Sequence, residues 1–457
     1  MKTTSTSVQR LTKLALLLAI ELAMRAIGLG AVPVGPLNMS FLTLPIAIAA
    51  MLCGPVEGMV LGAVFGILSL TDAISGRSFM TGTFFNISPV HTVILCVGMF
   101  VVGQALFETG MANKIGGIVT HFAKSERSLI VAIMVIVGLM SGVLSNTGTA
   151  AVLIPVVCGI ADESGYSRSR LLMPLVFAAA LGGNLSIIGA PGNLMGVNAL
   201  QEMGIATSFF MYAPVGVPML VLGIVFYAVI GYKLLPDGTH GGEAPEAPKD
   251  YSGVPAWKQI VSLVVLVVVI LAMIFEKKIG IKIQVSACIG AIVLVLTGVI
   301  SEKEALKSID LKVVLLFGGS LALAKALETT GAGSIIADAI VGALGSNPNP
   351  MVLLVVIFAV GCALTNFMSN TATTALMVPI ATSLAESLGA DPRSMIIATV
   401  IACSCAYATP IGMPANTMVV GLGGYKFKDY VKAGLPLIAV SFVVCIVLLP
   451  ILFPFYG

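Results

Sequence analysis

Apolar stretches long enough to cross a bilayer recur near residues 11–32, 93–112, 172–200, 211–232, 258–275, 284–300, 313–330, 393–422 and 433–455. A helix needs roughly 20 such residues to span the hydrocarbon layer, so each predicts a membrane helix. Residues 41–71 form one more apolar run, but Gly54-Pro55-Val56-Glu57-Gly58 interrupts it, and the turn there predicts two short spans. Two further runs, 128–161 and 350–385, carry a polar break at the centre. Lipid cannot satisfy a broken backbone, so each of these predicts a hairpin that dips into protein and returns. Between the halves, Pro236 to Trp257 is polar and rich in Gly and Pro, which predicts a linker.

The two polar breaks are copies of one phrase. Ser145-Asn146-Thr147-Gly148-Thr149 runs on to Ala151 and Pro155, and Ser369-Asn370-Thr371-Ala372-Thr373 runs on to Ala375 and Pro379, at a constant offset of 224. The halves align further, Gly110 with Gly331 (offset 221) and Asn193 with Asn416 (offset 223). Duplicated polar motifs inside two apolar halves predict a repeated transporter fold whose broken helices meet near the bilayer midplane.

Composition agrees. The chain is 58% hydrophobic and 10% charged, with a mean hydropathy of +1.06, whereas soluble domains carry about 25% charged residues. Its surroundings are therefore the lipid bilayer, and no nucleic-acid partner is expected. Eight cysteines are scattered without ligand spacing, and the three histidines fall at span ends or in loops, which argues against a metal site and a disulfide framework. Lys2, Arg10 and Lys13 lead into an apolar run without a small-residue cleavage site, which reads as a retained first span.

Charge placement sets the expected topology. With the open end of the first hairpin in the cytoplasm, most basic residues from Lys114 to Lys432 fall inside, and beyond residue 92 only Lys277, Lys278, Lys282 and Arg393 fall outside. The second hairpin then opens outward, which makes the repeats inverted. The N-terminus and the linker are expected in the cytoplasm and the C-terminus outside.

The hairpin centres hold hydroxyls and amides but no ionisable side chain. Small oxygens joined by unwound carbonyls suit a bare monovalent cation such as Na⁺. Ser141 precedes Ser145 by four residues and Thr365 precedes Ser369 by four, so each pair of hydroxyls is expected on one helix face, beside Asn146 or Asn370. Further oxygens are expected from a second break in each half, Gly189-Ala190-Pro191-Gly192-Asn193 and Gly412-Met413-Pro414-Ala415-Asn416. Broken helix ends also present N–H groups, so a carboxylate or similar anion is expected between the tips, near Asn146, Thr147, Asn370 and Thr371. Two unit charges about 6 Å apart attract by roughly 3 kcal/mol at an effective dielectric of about 20, enough for bound cations to recruit an anion without an arginine.

From about residue 93 to the C-terminus, these motifs resemble the divalent anion:sodium symporter family, as do Ala408-Thr409-Pro410-Ile411-Gly412-Met413-Pro414-Ala415-Asn416-Thr417 and Gly423-Gly424-Tyr425-Lys426-Phe427. The resemblance implies a scaffold and a moving transport domain, usually dimeric, working as an elevator. It implies one sodium site at Ser141, Ser145, Asn146 and the Gly189 carbonyl, and a second at Thr365, Ser369, Asn370 and the Gly412 carbonyl. It places substrate at Asn146, Thr147, Ala190, Pro191, Asn370, Thr371, Met413 and Pro414. The family's break motifs usually read (Ser/Thr)-Pro-Pro-Asn, so Ala190 and Met413 lack an expected hydroxyl, and Gly192 and Ala415 stand where a second proline does. Residues 1–92 differ: Ala15, Ala19 and Ala23, Pro33-Val34-Gly35-Pro36 and Gly62-Ala63-Val64-Phe65-Gly66 resemble the membrane S component of an energy-coupling factor vitamin transporter. A divergent scaffold, a natural fusion and a join in the gene near Val93–Gly98 are the alternative readings.

The expected protein is an all-α polytopic membrane protein of about eleven spans, an inverted-repeat secondary transporter with two re-entrant helical hairpins and broken helices. Its parts are an N-terminal membrane segment (1–92), a first repeat (93–233, hairpin 128–161), a linker (234–257) and a second repeat (258–457, hairpin 350–385). The expected activity is Na⁺-coupled import of a divalent anion, a C4-dicarboxylate first, with sulfate, citrate, sodium-independent exchange and a role in a vitamin importer as alternatives. No cofactor beyond the coupling ion is expected, and no enzymatic activity. The expected location is a bacterial plasma membrane.

Overall fold

A computed structural model describes residues 3–26, 31–34, 37–40, 88–117, 125–238, 251–311 and 349–456, with scattered positions at 45–64 and 313–342. The chain divides into two compact units, Met1–His91 and Thr92–Gly457. In the first, helix α1 (Thr3–Ala26) is followed by a two-stranded antiparallel ribbon, β1 (Ala31–Val34) and β2 (Leu37–Ser40). Helix α1 covers most of the span expected over 11–32, the ribbon taking only its last two residues, Ala31 and Val32, and the ribbon is the one departure from helix among the described elements. Its cause is local: Pro33 lacks the donor a helix needs, and Val32 and Val34 favour extended backbone. The spans expected over 41–71 and 313–330 lie largely outside the described residues.

Most of α2 (Ser88–Glu108) and all of α3 (Met111–Gly117) belong to the second unit. The first hairpin is α4 (Glu126–Ser141) and α5 (Asn146–Ser164), followed by α6 (Arg168–Gly182), α7 (Pro191–Glu202) and α8 (Ala213–Val229). After α9 (Ala256–Ile274) and α10 (Ile283–Leu296), the second hairpin is α11 (Pro350–Thr365) and α12 (Asn370–Ser387). It is followed by α13 (Pro392–Ser404), α14 (Pro414–Gly423) and α15 (Phe427–Leu452). Helices α4–α8 thus correspond in order to α11–α15.

The serine of each Ser-Asn-Thr is a helix N-cap. Ser145 and Ser369 are extended, and their hydroxyls accept from the N–H of Gly148 (3.1 Å) and Ala372 (3.3 Å). Each hairpin turn is therefore encoded by the motif itself. The 172–200 and 393–422 runs are each cut in two, and Pro191 and Pro414 open the second pieces at the first helical position, where a missing N–H costs nothing.

Helices α6 and α13 are buried from Leu171 to Gly182 and from Ser394 to Ser404, so they form the centre of the unit. Each packs on both arms of its own hairpin and also on the broken helix of the other repeat, α6 on α14 and α13 on α7. Helices α8 and α15 pack on each other, and Tyr227 Oη donates to the Ala433 carbonyl at 2.9 Å. Phe177 sits among Tyr227, Tyr407 and Tyr430, with ring centroids 5.6–6.4 Å away. At the periphery, α9 and α10 expose Val264, Val268, Leu271, Ile289 and Ile292, a face suited to lipid. Among the described helices, α5, α9 and α15 are long and apolar enough to cross a membrane, and five shorter apolar helices accompany them.

Candidate functional site

Ser141 closes α4, so the step from Ser141 to Ser145 is not one helical face, as the spacing suggested; a turn over 142–145 separates them. The turn brings Ser141 against Asn146 instead. Ser141 Oγ lies 2.8 Å from Asn146 Oδ1 and 2.6 Å from the Ala179 carbonyl, and both contacts are buried. In the second repeat Thr365 Oγ1 lies 2.9 Å from Asn370 Oδ1 and also contacts the Cys403 carbonyl. There the Thr365 hydroxyl has one proton and faces two acceptors, so that cluster holds more lone pairs than protons.

The Asn146 amide makes this sharper. Its inward atom lies 2.8 Å from Ser141 Oγ, 2.8 Å from the Gly189 carbonyl and 3.2 Å from the Ala179 carbonyl. With nitrogen inward, the amide donates to these oxygens. With oxygen inward, four oxygens face one another, and a cation among them would relieve the repulsion. Neither cluster contains a carboxylate or a basic side chain. Gly183 makes room for the amide, since a Cβ there would lie 2.4 Å from Asn146 Oδ1.

Around each cluster the broken segment is braced by the same bonds. Ser186 Oγ donates to the Gly142 carbonyl, and Thr409 Oγ1 to the Asn366 carbonyl. Asn193 Nδ2 donates to the Gly183 and Ser186 carbonyls (2.7 and 2.6 Å), and Asn416 Nδ2 to those of Ala406 and Thr409 (2.6 and 3.0 Å). Tyr212 Oη and Tyr430 Oη each donate at 2.7 Å to the carbonyl of the braced asparagine. Asn193 and Asn416 are thus framework residues that satisfy freed carbonyls. Sequence reasoning missed Ala179, Cys403, Ser186, Gly183, Tyr212 and Tyr430. For Tyr212 and Tyr430 the available signal was the same residue type after each broken helix, and for Ser186 the hydroxyl of Thr409 at the repeat offset.

Ala190 and Met413 are buried, extended N-caps of α7 and α14, and neither supplies a side-chain cap bond. The absent hydroxyls leave first-turn N–H groups without a side-chain acceptor, where an anion would be favoured. Thr147 and Thr371 are half-buried in the first turns of α5 and α12. A cleft of about 440 Å³ is lined by Ser369, Ile411, Gly412, Pro414, Thr417 and Met418, which brings together three residues of the expected site. Gly412 itself is pressed against the end of α11, where a Cβ would lie 2.5 Å from the Thr365 carbonyl.

The repeats also meet directly. A Cβ on Gly192 would lie 2.8 Å from Oγ1 of the buried Thr374, which donates to the Asn370 carbonyl. Glycine at 192, where proline was expected, is what this approach requires. Gly192→Ala is expected to lower thermal stability by about 1–3 kcal/mol through overpacking. Adding Thr374→Ala should recover most of that loss in a thermal melt, and a double mutant no better than the single would refute the contact.

A repeated helical core around two broken helices and two capped hairpins defines a polytopic secondary transporter. The citrate transporter family CitMHS matches residues 15–402 and again 270–456, so the chain belongs to that family, one of transporters and not enzymes. The match begins at residue 15 and so takes in most of the segment for which an S-component resemblance was expected, a resemblance that is not shown. An uncharacterized transporter of Haemophilus influenzae is 28% identical over 374 residues, 77% of this chain and 79% of its own. The sodium-dependent dicarboxylate transporter SdcS of Staphylococcus saprophyticus is 24% identical over 399 residues, 79% of this chain and 76% of its own. Among solved structures, the YdaH transporter of Alcanivorax borkumensis shares the fold, with a TM-score of 0.61 at 15% identity and 98% coverage of both chains. MtrF of Neisseria gonorrhoeae follows, with a TM-score of 0.54, 18% identity and coverage of 99% of this chain and 96% of its own.

Proposed function

We propose that this transporter imports a divalent anion, a C4-dicarboxylate first, by coupling it to Na⁺. The observation that carries the reading is the pair of repeat-related, uncharged clusters of hydroxyl, amide and carbonyl groups at Ser141/Asn146 and Thr365/Asn370. Sodium at the first would take Ser141, Asn146 and the Gly189 carbonyl, with Ser145 adjoining. Sodium at the second would take Thr365, Asn370, Ser369 and the Gly412 carbonyl. Oxygen-inward amides turn their NH₂ groups away from the cation and leave them available to a carboxylate. The anion then draws on Asn146, Thr147, Asn370 and Thr371, on the uncapped starts of α7 and α14 at Ala190-Pro191 and Met413-Pro414, and on the cation charge.

The sodium-dependent dicarboxylate relative supports this choice of substrate, and the family description makes citrate the first competitor. A homodimer working as an elevator, with the N-terminus and linker in the cytoplasm and the C-terminus outside, completes the proposal. The test is uptake of labelled succinate, citrate and sulfate into proteoliposomes. Succinate uptake is expected to rise about 10-fold or more with an inward Na⁺ gradient, the minimum for coupling worth more than about 1.4 kcal/mol. Equal uptake in choline would overturn the sodium coupling, and preference for citrate or sulfate would overturn the substrate.

A further inference from the structure

We propose that a second cleft, between α2 and the first hairpin, is a loading site for the monovalent cation, where Glu108 and Ser145 hold it before it reaches Asn146. The inference rests on the sodium reading of the site and adds a route to it. The cleft encloses about 330 Å³, and its polar lining is Gln104, Glu108, Ser145, Tyr251 and Ser308. Ser145 belongs to both places: it caps the helix that begins with Asn146, and it faces this cleft. Gln104 Nε2 donates to Glu108 Oε1 at 2.9 Å, which fixes the carboxylate along the wall. Phe107 closes the side, and only glycine at 148 admits its ring, since a Cβ there would lie 2.6 Å from Phe107 Cε2. The second motif has Ala372 at that position, so this wall is particular to the first repeat.

The two clefts beside the motifs differ in charge. The one at Ser369 is lined by no ionisable residue, whereas the one at Ser145 contains a carboxylate among hydroxyls. A carboxylate attracts a cation and repels an anion at the same spot. The cation of the first repeat therefore has a charged approach that the cleft at Ser369 does not offer. Glu108 is not one of the ligands at Asn146, but its charge stands beside that site and favours the cation there at equilibrium as well as on the way in.

The test is a Na⁺ titration of the purified full chain without anion, read by thermal stabilisation, for the wild type, Glu108→Gln and Glu108→Asp. Glu108→Gln is expected to raise the half-saturating Na⁺ concentration about 5-fold, and Glu108→Asp, which keeps the charge, by less than about 2-fold. High choline chloride should shrink the Glu108→Gln effect by screening. A wild-type response that Glu108→Gln leaves unchanged overturns this inference alone. A wild type with no response to Na⁺ overturns the sodium reading and this inference with it. If Glu108→Gln does not fold, labelling of Ser145→Cys decides, with the wild type as background. A cationic thiosulfonate should react about 10-fold faster than an anionic one, and equal rates would contradict the proposal.

Discussion

Asn146→Ala and Asn370→Ala should each lower sodium-driven uptake by about 100-fold or more while leaving a folded protein. Each amide meets the neighbouring hydroxyl, and in the proposed bound state its oxygen also meets the cation and its NH₂ the anion. Two charge-assisted contacts at about 1.5–3 kcal/mol each give a loss of that order. Folding should survive because the braces of the broken segments run through other residues: Ser186, Asn193 and Tyr212 in one repeat, Thr409, Asn416 and Tyr430 in the other. Uptake assays on proteoliposomes matched for protein content check the claim. Near-wild-type uptake in either variant would remove that asparagine from the site.

Gly216→Ala and Gly434→Ala should do the opposite and damage the fold itself. These glycines lie in α8 and α15, where a Cβ would come within 2.0 Å of the backbone carbonyls of Asn184 and Tyr407, at the starts of the two broken segments. A backbone oxygen cannot rotate aside as a side chain can, so helix and segment would have to separate. Overpacking at flexible neighbours costs about 1–3 kcal/mol, and a clash with backbone belongs at or above the top of that range. A loss of about 3 kcal/mol or more in stability, read as early melting in detergent, is the expected result. Because the two contacts are repeat-related, the two variants should lose similar amounts. A tolerated Gly434→Ala beside a destructive Gly216→Ala would mean that the repeats are not held the same way.

Much of this core was legible in the sequence because its breaks are made by residues with local meaning. The polar Ser-Asn-Thr breaks and the Gly/Pro breaks at Pro191 and Pro414 placed the turns, although the caps at Ser145 and Ser369 emerged only from the structure. What stayed hidden was made of backbone. The Ala179 and Cys403 carbonyls complete the clusters, yet an alanine and a cysteine carry no sign of it, because every residue has a carbonyl. The reading of Ser141 and Ser145 as one helical face failed because the cap at Ser145 ends the helical register that the spacing assumed. The ribbon at Ala31–Ser40 was hidden for another reason: its strands are four residues each and the first is apolar, and apolarity alone cannot separate it from the end of a span.

The central claim is that neutral oxygen clusters acquire positive charge from Na⁺ and only then hold the anion. The most direct test is equilibrium binding of labelled succinate to the purified protein as Na⁺ replaces choline at constant ionic strength. Affinity is expected to rise by about two orders of magnitude, the size of a roughly 3 kcal/mol ion–ion attraction, and to depend on more than the first power of Na⁺ concentration. Succinate bound as tightly in choline as in sodium would contradict the account.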